Sequence, residues 1–448
     1  MLDIKFIRTF PGKVKDAVKL KRIKDVDVEE LLDLDKIRID LQRRVEEHRG
    51  LRNVLSDKVS KEKNQQTRDK LIEEGSRLKE ELKKFDEDLR LLEGKLNEGL
   101  LKLPNILAWD VPLGEGDPDH IELAVWIPGV GYLPQEKLGK GYENDSSRQF
   151  MPKPQFKGKD HLELGKMFDM IDVEQSAITS GSRFCYLKND AVLLQDALAS
   201  LLKKKLLEEK FVPMVVPLLV KDRVLYGTSH FPEGRDQVYR INNEFVEESQ
   251  ELFLVGSSEP PLFAYHMDKV LPKEKLPHKM YALTSCFRSE VGSWGKDVKG
   301  IKRVHQFDKL EIDIVCAPQE SNEVMEYLRS INEWFYQALQ LPYRIIYKCA
   351  GDCGYNATHK QYDVEGWLPH QREFIELGSN TNTTDFQARR LNIKYREGGE
   401  LRYVHTVNNT GCPMGRVLIA ILDNYQRENG TIEVPEALQE YLGKKEIK

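Results

Sequence analysis

Residues 284 to 311 open as Thr284-Ser285-Cys286-Phe287-Arg288-Ser289-Glu290, pass through a Gly- and Lys-rich loop, and close as Arg303-Val304-His305-Gln306-Phe307-Asp308-Lys309-Leu310-Glu311. Both ends have strand composition and the middle has loop composition, so the stretch predicts a β-hairpin. Pairing puts alternate side chains on one face and brings Arg288, Glu290 and Phe307 close together. A guanidinium, a carboxylate and an aromatic ring on one sheet face suit a nucleoside triphosphate. The guanidinium bridges phosphate oxygens and the ring stacks on a base. Taken alone, the stretch also reads as a plain hairpin with a charged, solvated face, and the rest of the chain has to decide.

Around this hairpin, from residue 236 onward, short apolar runs alternate with few helices. The runs predict strands at 238–241, 251–256, 279–287, 303–315, 343–348, 361–368, 373–377 and 402–407, and helices at 258–270, 319–340 and 413–429. That pattern predicts an α+β fold, an antiparallel sheet flanked by helices, rather than a doubly wound parallel sheet. No Walker motif and no GxGxxG fingerprint is present, so phosphate would be held by side chains. Upstream, 191–208 has helical spacing, and Phe211 to Val220 is a strand pattern broken by Pro213 and Pro217. Such prolines confine a strand to an edge or to a boundary between subunits.

The N-terminal part has a different character. No proline occurs between Pro11 and Pro104, and Leu71, Leu78, Leu82, Phe85, Leu89, Leu92 and Leu96 form a heptad seam with one site skipped. Leu34, Ile37, Leu41, His48, Leu51 and Leu55 make a less regular partner stripe, and polar Ser60 to Thr67 is the natural place to turn back. Residues 28 to 102 are therefore expected to form an arm of two antiparallel helices, each up to ~50 Å long. Residues 49 to 70 carry Arg49, Arg52, Lys58, Lys61, Lys63, Arg68 and Lys70 against Asp57, Glu62 and Asp69. A basic end on an otherwise acidic chain suits phosphate contacts, although a solvated coiled coil accounts for the same charges.

Composition bounds the remaining choices. The 448 residues exceed one simple core, and 40% hydrophobic content supports ordinary globular cores. With 68 basic and 73 acidic residues the net charge is -5, so any nucleic-acid surface is local. The six cysteines, Cys185, Cys286, Cys316, Cys349, Cys353 and Cys412, show no paired CxxC spacing and read as reduced cytosolic thiols. No run approaches the ~20 apolar residues of a membrane helix, which predicts a cytoplasmic protein with no membrane partner.

Three stretches then fall in order: the Pro-containing Phe211 to Val220 after a helix, Phe287-Arg288-Ser289-Glu290 in the hairpin, and Asn408-Asn409-Thr410-Gly411-Cys412-Pro413-Met414-Gly415-Arg416 leading into a helix. In this order and with these features the chain resembles the class II aminoacyl-tRNA synthetases. Gly181-Ser182-Arg183-Phe184, Arg303 to Phe307, Asp385-Phe386-Gln387-Ala388-Arg389-Arg390 and Ala420 to Gln426 narrow the resemblance to the seryl-tRNA synthetase family, over essentially the whole chain. The resemblance implies an N-terminal tRNA-binding domain at 1–102, a connector at 103–165 and an aminoacylation domain at 166–448. It implies a serine–tRNA ligase using ATP and Mg²⁺, partnered by tRNA(Ser), with tRNA(Sec) left open, and acting as a homodimer.

The resemblance also assigns roles. Arg288 bridges the serine carboxylate and the ATP α-phosphate, Phe307 stacks on adenine, and Arg416 holds the γ-phosphate. Ser289, Glu290 and Val304 complete the nucleotide site, while Glu376 and Ser379 hold phosphate-bound Mg²⁺. Ser257 and Glu259 receive the serine α-amino group, and Glu311 with Thr410 its hydroxyl. Arg49, Arg52, Lys58, Lys61, Lys63 and Arg68 are the implied tRNA contacts. The chain departs from the family pattern at Ser257, where threonine is usual, at Gly378 and Asn380, usually serine and cysteine, and in the hairpin loop at Trp294, Lys296 and Lys299. The loss of a hydroxyl at Gly378 is expected to touch the Mg²⁺ site. Two alternatives stay open, a non-catalytic RNA-binding paralogue and a ligase that loads a carrier protein or small amine.

Overall fold

Asp27 starts the first long helix by accepting from the Glu29 amide at 2.8 Å, and Asn64 starts the second by accepting from the Thr67 amide at 3.1 Å. These helices, α1 (Val28–Lys61) and α2 (Gln65–Lys102), pack along their length within a compact unit spanning Leu2–Pro104. The computed structural model describes residues 1–133, 146–242, 251–292, 300–354 and 356–448. Trp294, Lys296 and Lys299 lie outside the described residues.

On α2 the expected seam faces inward, with Leu82 and Leu96 buried. The skipped heptad site is Gly75, where a Cβ would lie 3.4 Å from Leu55, and at Gly99 a Cβ would come within 2.2 Å of Leu31. At these two seam positions the Leu55 and Leu31 side chains of the partner helix take the space a side chain would fill. On α1 the expected stripe needs correction: Ile37 and Leu51 are 56% and 57% exposed, and Val45 is buried in their stead. Beside Ile37 the inward position is taken by Arg38. Arg38 is half-buried because it donates to buried Asp35 at 2.9 and 3.0 Å, so a charged residue occupies an inward site. His48 does face inward and meets the Phe85 ring edge-on at 5.0 Å.

The second unit, Asn105–Lys448, is built on a nine-stranded sheet among the described residues. Its strands are β1 (Ile121–Ile127), β2 (Gly131–Leu133), β3 (Val212–Pro213), β4 (His278–Phe287), β5 (Gln306–Cys316), β6 (Tyr343–Tyr347), β7 (Lys360–Leu368), β8 (Glu373–Asn382) and β9 (His405–Pro413). The spatial order is β2-β1-β6-β7-β8-β9-β5-β4-β3, antiparallel throughout except for the parallel β3–β4 pair at one edge. Residues 103–165, read as a connector, supply β1 and β2 at the opposite edge. Their flanking Pro and Gly turns disguise a short strand. The proline-broken segment yields two short strands, β3 and Leu219–Lys221, the latter in a separate small sheet.

Strand β5 shows how the sheet separates core from site. Its even residues Leu310, Ile312 and Ile314 are buried on the helix-covered face. There a Cβ at Gly411 would come within 2.6 Å of Ile312 and 3.2 Å of Leu202 in α3 (Asp190–Glu208). The helices α4 (Glu259–Ala264), α5 (Ser321–Ala338) and α6 (Met414–Tyr425) also contact the central strands. The odd residues Phe307, Lys309, Glu311 and Asp313 share the other face, by the period of two.

Candidate active site

Two adjoining cavities open on that face. One, of ≈ 250 Å³, is lined by Arg288, Glu290, Val304, Phe307, Arg416 and neighbours; the other, of ≈ 180 Å³, by Ser257, Glu259, Glu311, Ser379 and neighbours. Arg288, Lys309, Glu376 and Thr410 line both. Side chains expected from separate motifs thus meet around a shared wall.

The hairpin builds the first cavity. Cys286 pairs with Phe307 and Phe287 with Gln306 in the β4–β5 ladder, and one step further the Arg288 amide donates to His305 O at 3.0 Å. The Arg288 guanidinium lies over the Phe307 ring at 5.4 Å and its Nε donates to Gly256 O at 3.1 Å, which fixes its direction. His305 Nδ1 is 3.0 Å from Arg288 O, so this histidine is a structural hydrogen-bonder. Glu290 adopts a positive φ of 50° and its carboxylate lies 3.6 Å from Arg303. Ser289 is placed differently from the rest of its group. Its hydroxyl turns to Asp236 O and its amide donates to Gln237 O at 3.0 Å, so it braces the hairpin and does not line the cavity. Arg416 enters from the start of α6, with Nε 3.3 Å from Lys302 O and Nη1 3.3 Å from Glu376 Oε2.

A bulge brings Glu376 and Ser379 to one cavity. Three residues apart on a regular strand they would point to opposite faces. In the β7–β8 ladder, however, Val364 opposes Gly378 while Glu365 opposes Glu376, leaving Leu377 as the extra residue. Ser379 Oγ accepts from Gln361 Nε2 at 3.1 Å. Burial raises the Glu376 carboxyl, but Arg416 and Arg288 outweigh it and hold the group below its ordinary value. The carboxylate and hydroxyl form a hard-oxygen donor set that suits Mg²⁺. Gly378 points to the other face, where a Cβ would come within 2.6 Å of Asn332 Nδ2 in α5, and Asn380 donates to Met325 O at 2.7 Å. The expectation that Gly378 weakens the metal site is therefore corrected: both departures adjust the contact with α5.

A second bulge, at Gly411 between β5 and β9, sets Thr410 opposite Glu311. Lys309 Nζ sits 2.6 Å from Glu311 Oε2 and 3.4 Å from Thr410 Oγ1. Glu259, at the start of α4, accepts from Gln387 Nε2 at 2.8 Å, and its amide donates to Ser257 Oγ at 3.2 Å. Burial first, then Glu311, pushes the Glu259 carboxyl up to about 7. His230 also lines this cavity, and burial with the Arg288 and Lys309 charges holds it down at about 3, hence neutral.

Sequence reasoning missed Lys309, His230, Gln361 and Arg303. Lys309 was accessible from alternation, since it lies between Phe307 and Glu311 at steps of two. His230 and Gln361 carry no local signal. Gln387 lay within the quoted Asp385 to Arg390 string without a role, and it orients Glu259. The six basic residues expected to contact tRNA are all exposed. Arg49 pairs with Asp86 at 2.9 Å and Lys61 with Asp57 at 3.6 Å, whereas Arg52, Lys58, Lys63 and Arg68 make no ion pair among the described residues.

Residues 239–425 match the family described as tRNA synthetase class II core domain (G, H, P, S and T), which defines the class of this unit. Residues 1–107 match the Seryl-tRNA synthetase N-terminal domain. Serine–tRNA ligase of Dictyoglomus turgidum is 37% identical, covering 100% of this chain and 99% of that protein. The seryl-tRNA synthetase of Pyrococcus horikoshii complexed with ATP superposes with a TM-score of 0.89 at 34% identity, covering 100% and 99% of the two chains. The cytoplasmic serine–tRNA ligase of Naegleria fowleri in complex with AMP gives 0.81 at 26%, again covering 100% and 99%. The chain belongs to the seryl-tRNA synthetase family and is a ligase.

Proposed function

We propose that the chain activates L-serine with ATP to seryl-adenylate and pyrophosphate, then transfers the seryl group to the 3′ end of tRNA(Ser). The observation that carries this is the shared wall between the cavities. Arg288 faces both, where a carboxylate from one side would meet an α-phosphate from the other. The ionised carboxylate attacks in line without a general base, so positioning and charge stabilisation carry the step. Phe307 stacks on adenine, and Glu290 and Val304 border the adenosine. Arg416 takes the γ-phosphate, Glu259 and Ser257 the α-amino group, and Glu311 with Thr410 the hydroxyl. Glu376 and Ser379 would hold Mg²⁺, which neutralises phosphate charge when bound. His230, held down at about 3, is too weak a base to take up a proton near neutral pH, and the transfer step is read as carried by alignment.

The basic residues 49 to 68 are read as the tRNA surface; charging of tRNA(Sec) alongside tRNA(Ser) is the broader form, compared in the same assay. Six unpaired cysteines support a cytoplasmic setting, and no helix among the described residues is long and apolar enough to cross a membrane. A homodimer is supported by exposed Val212 and Val215 at the sheet edge.

ATP–pyrophosphate exchange across the amino acids tests the reading. It is expected to require serine and Mg²⁺ and to fall ~10²-fold or more in Arg288→Ala. Exchange that persists in this variant sinks the assignment.

A further inference from the structure

The Gly181-Ser182-Arg183-Phe184 string takes no part in either cavity's chemistry, yet it touches the hairpin at two points. Arg183 O accepts the His305 amide at 2.9 Å, and Arg183 Nη1 donates to Glu290 O at 2.9 Å. His305 is in turn the partner of Arg288 through two bonds, amide to carbonyl and carbonyl to Nδ1, each 3.0 Å. Backbone and side chain of one residue thus bracket the pair that ends the ladder. The segment is itself fixed, by Ser176 Oγ donating to Phe184 O at 2.6 Å and by the Phe184 ring at 5.3 Å from His305.

Both contacting residues are held in the left-handed region, Arg183 at φ 61° and Glu290 at φ 50°. Such conformations in non-glycine residues are costly and persist only where the surroundings over-determine them. At Glu290 the left-handed turn lets the chain leave the strand with the carboxylate still facing the cavity and Arg303. Its carbonyl, no longer in the ladder, is the atom that Arg183 takes. A guanidinium suits this role because its planar fork reaches one carbonyl in a fixed direction, which an ammonium on a flexible stem manages only in part.

We propose that Arg183 is a positioning residue for the nucleotide half of the site, holding the Arg288–Glu290 turn so that both side chains aim into the cavity. The inference rests on the reading above that this cavity takes ATP.

The test is ATP binding by calorimetry, and exchange kinetics with KM for ATP and for serine measured separately, on wild type, Arg183→Ala and Arg183→Lys. Arg183→Ala is expected to weaken ATP roughly 10-fold or more, since small misplacements of aligned groups have large effects. KM for serine should rise less than KM for ATP, because of the serine partners only Arg288 lies on the held turn, while Ser257, Glu259 and Thr410 sit on other elements. Arg183→Lys should recover part of the ATP affinity, and added guanidinium at millimolar concentration part of the loss in the alanine variant. Unchanged ATP affinity in Arg183→Ala overturns the inference. So does equal weakening of ATP and serine with a lowered Tm and no rescue, which would show a merely structural role. A wild type that binds ATP but shows no serine-dependent exchange sinks the activation reading while leaving this inference to the binding data. A wild type that binds no ATP sinks both.

Discussion

Lys309 and Glu311 stand two residues apart on one face of β5, with Nζ 2.6 Å from Oε2, and only 5% and 2% of the two residues reach solvent. Burial pulls the Lys309 pKa down, but the attraction of Glu311 outweighs it and leaves the pKa raised. The ammonium stays charged, and the pocket floor is already balanced before substrate enters. Glu311→Gln removes one member of this pair, leaves a buried ammonium, and should cost roughly 3–5 kcal/mol of stability. A site built around a hydroxyl can reject the analogue lacking it by ~10⁴-fold, so wild type should prefer serine to alanine strongly and Glu311→Gln should lose most of that preference. KM for ATP should change little. Exchange with both amino acids and a melting curve give the answer; a variant that loses ATP yet keeps its preference would place Glu311 in the nucleotide half.

Arg52, Lys58, Lys63 and Arg68 are exposed and make no ion pair among the described residues, which suits contact with phosphates. Replacing all four by alanine should raise KM for tRNA and reduce the steepness of its salt dependence by about one unit per lost contact. Serine-dependent exchange, which needs no RNA, should stay at the wild-type rate. Charging assays across a salt series check both expectations, and a parallel loss of exchange would count against the RNA role.

Gly300 closes the hairpin loop at φ 73°, and a Cβ there would fall 1.9 Å from His161 Nε2. The same nitrogen accepts the Ile301 amide at 3.4 Å. Gly300→Ala is therefore strained twice, by its conformation and by contact with a buried ring. Displacement at this point moves Ile301 and Lys302, which line the cavity of Arg288 and Phe307 proposed for ATP. The variant should bind ATP at least several-fold more weakly, by roughly 1 kcal/mol or more, measured by calorimetry. Trimming His161 to alanine in the same chain should restore part of the loss.

The hairpin, the flanking strands and the α2 seam were legible because each rests on a local pattern: alternation, heptad spacing, or turn residues between apolar runs. What stayed hidden depends on parity and on distance along the chain. The bulge at Leu377 leaves no mark in the sequence, yet it decides that Glu376 and Ser379 share a cavity while Gly378 faces α5. Ile37 misled because an apolar residue beside a charged heptad site looks like the seam itself, and only the Asp35–Arg38 bond explains why that arginine is inward. The 121–133 strands were hidden by the proline and glycine turns around them. His230 reaches the pocket from a segment with no motif.

Val215 is fully exposed and Val212 and Leu219 partly so, next to the sheet edge at β3. An apolar run with prolines at an open edge is expected to be covered by a second copy related by a two-fold axis. Sedimentation at micromolar concentration should show a dimer, and Val215→Asp should shift it toward monomer. A monomeric wild type would leave the edge to be covered in another way.

Glu259 offers the clearest pH test. Its carboxyl is raised from 4.5 to about 7, by burial first and then by Glu311, with the Gln387 hydrogen bond, Lys309 and Arg288 opposing. A carboxyl that is protonated in the folded chain and ionised in the unfolded one makes stability fall as pH rises between about 4.5 and 7, the reverse of a salt-bridged acid. With Glu259 at the α-amino group as proposed, serine binding works the other way, because an α-ammonium requires the ionised form. With a midpoint near 7 the ionised fraction grows about tenfold from pH 6 to pH 8, and kcat/KM for serine should grow with it while KM for ATP stays level. His230, held at about 3, contributes nothing in this range, but Asp363 behind Ser379 is also raised to about 7 and could imitate the effect. Glu259→Gln separates the two. It should weaken serine, flatten the pH profile and stabilise the chain at pH 8. A profile that remains steep in Glu259→Gln but flattens in Asp363→Asn would assign the titration to the metal side of the cavity.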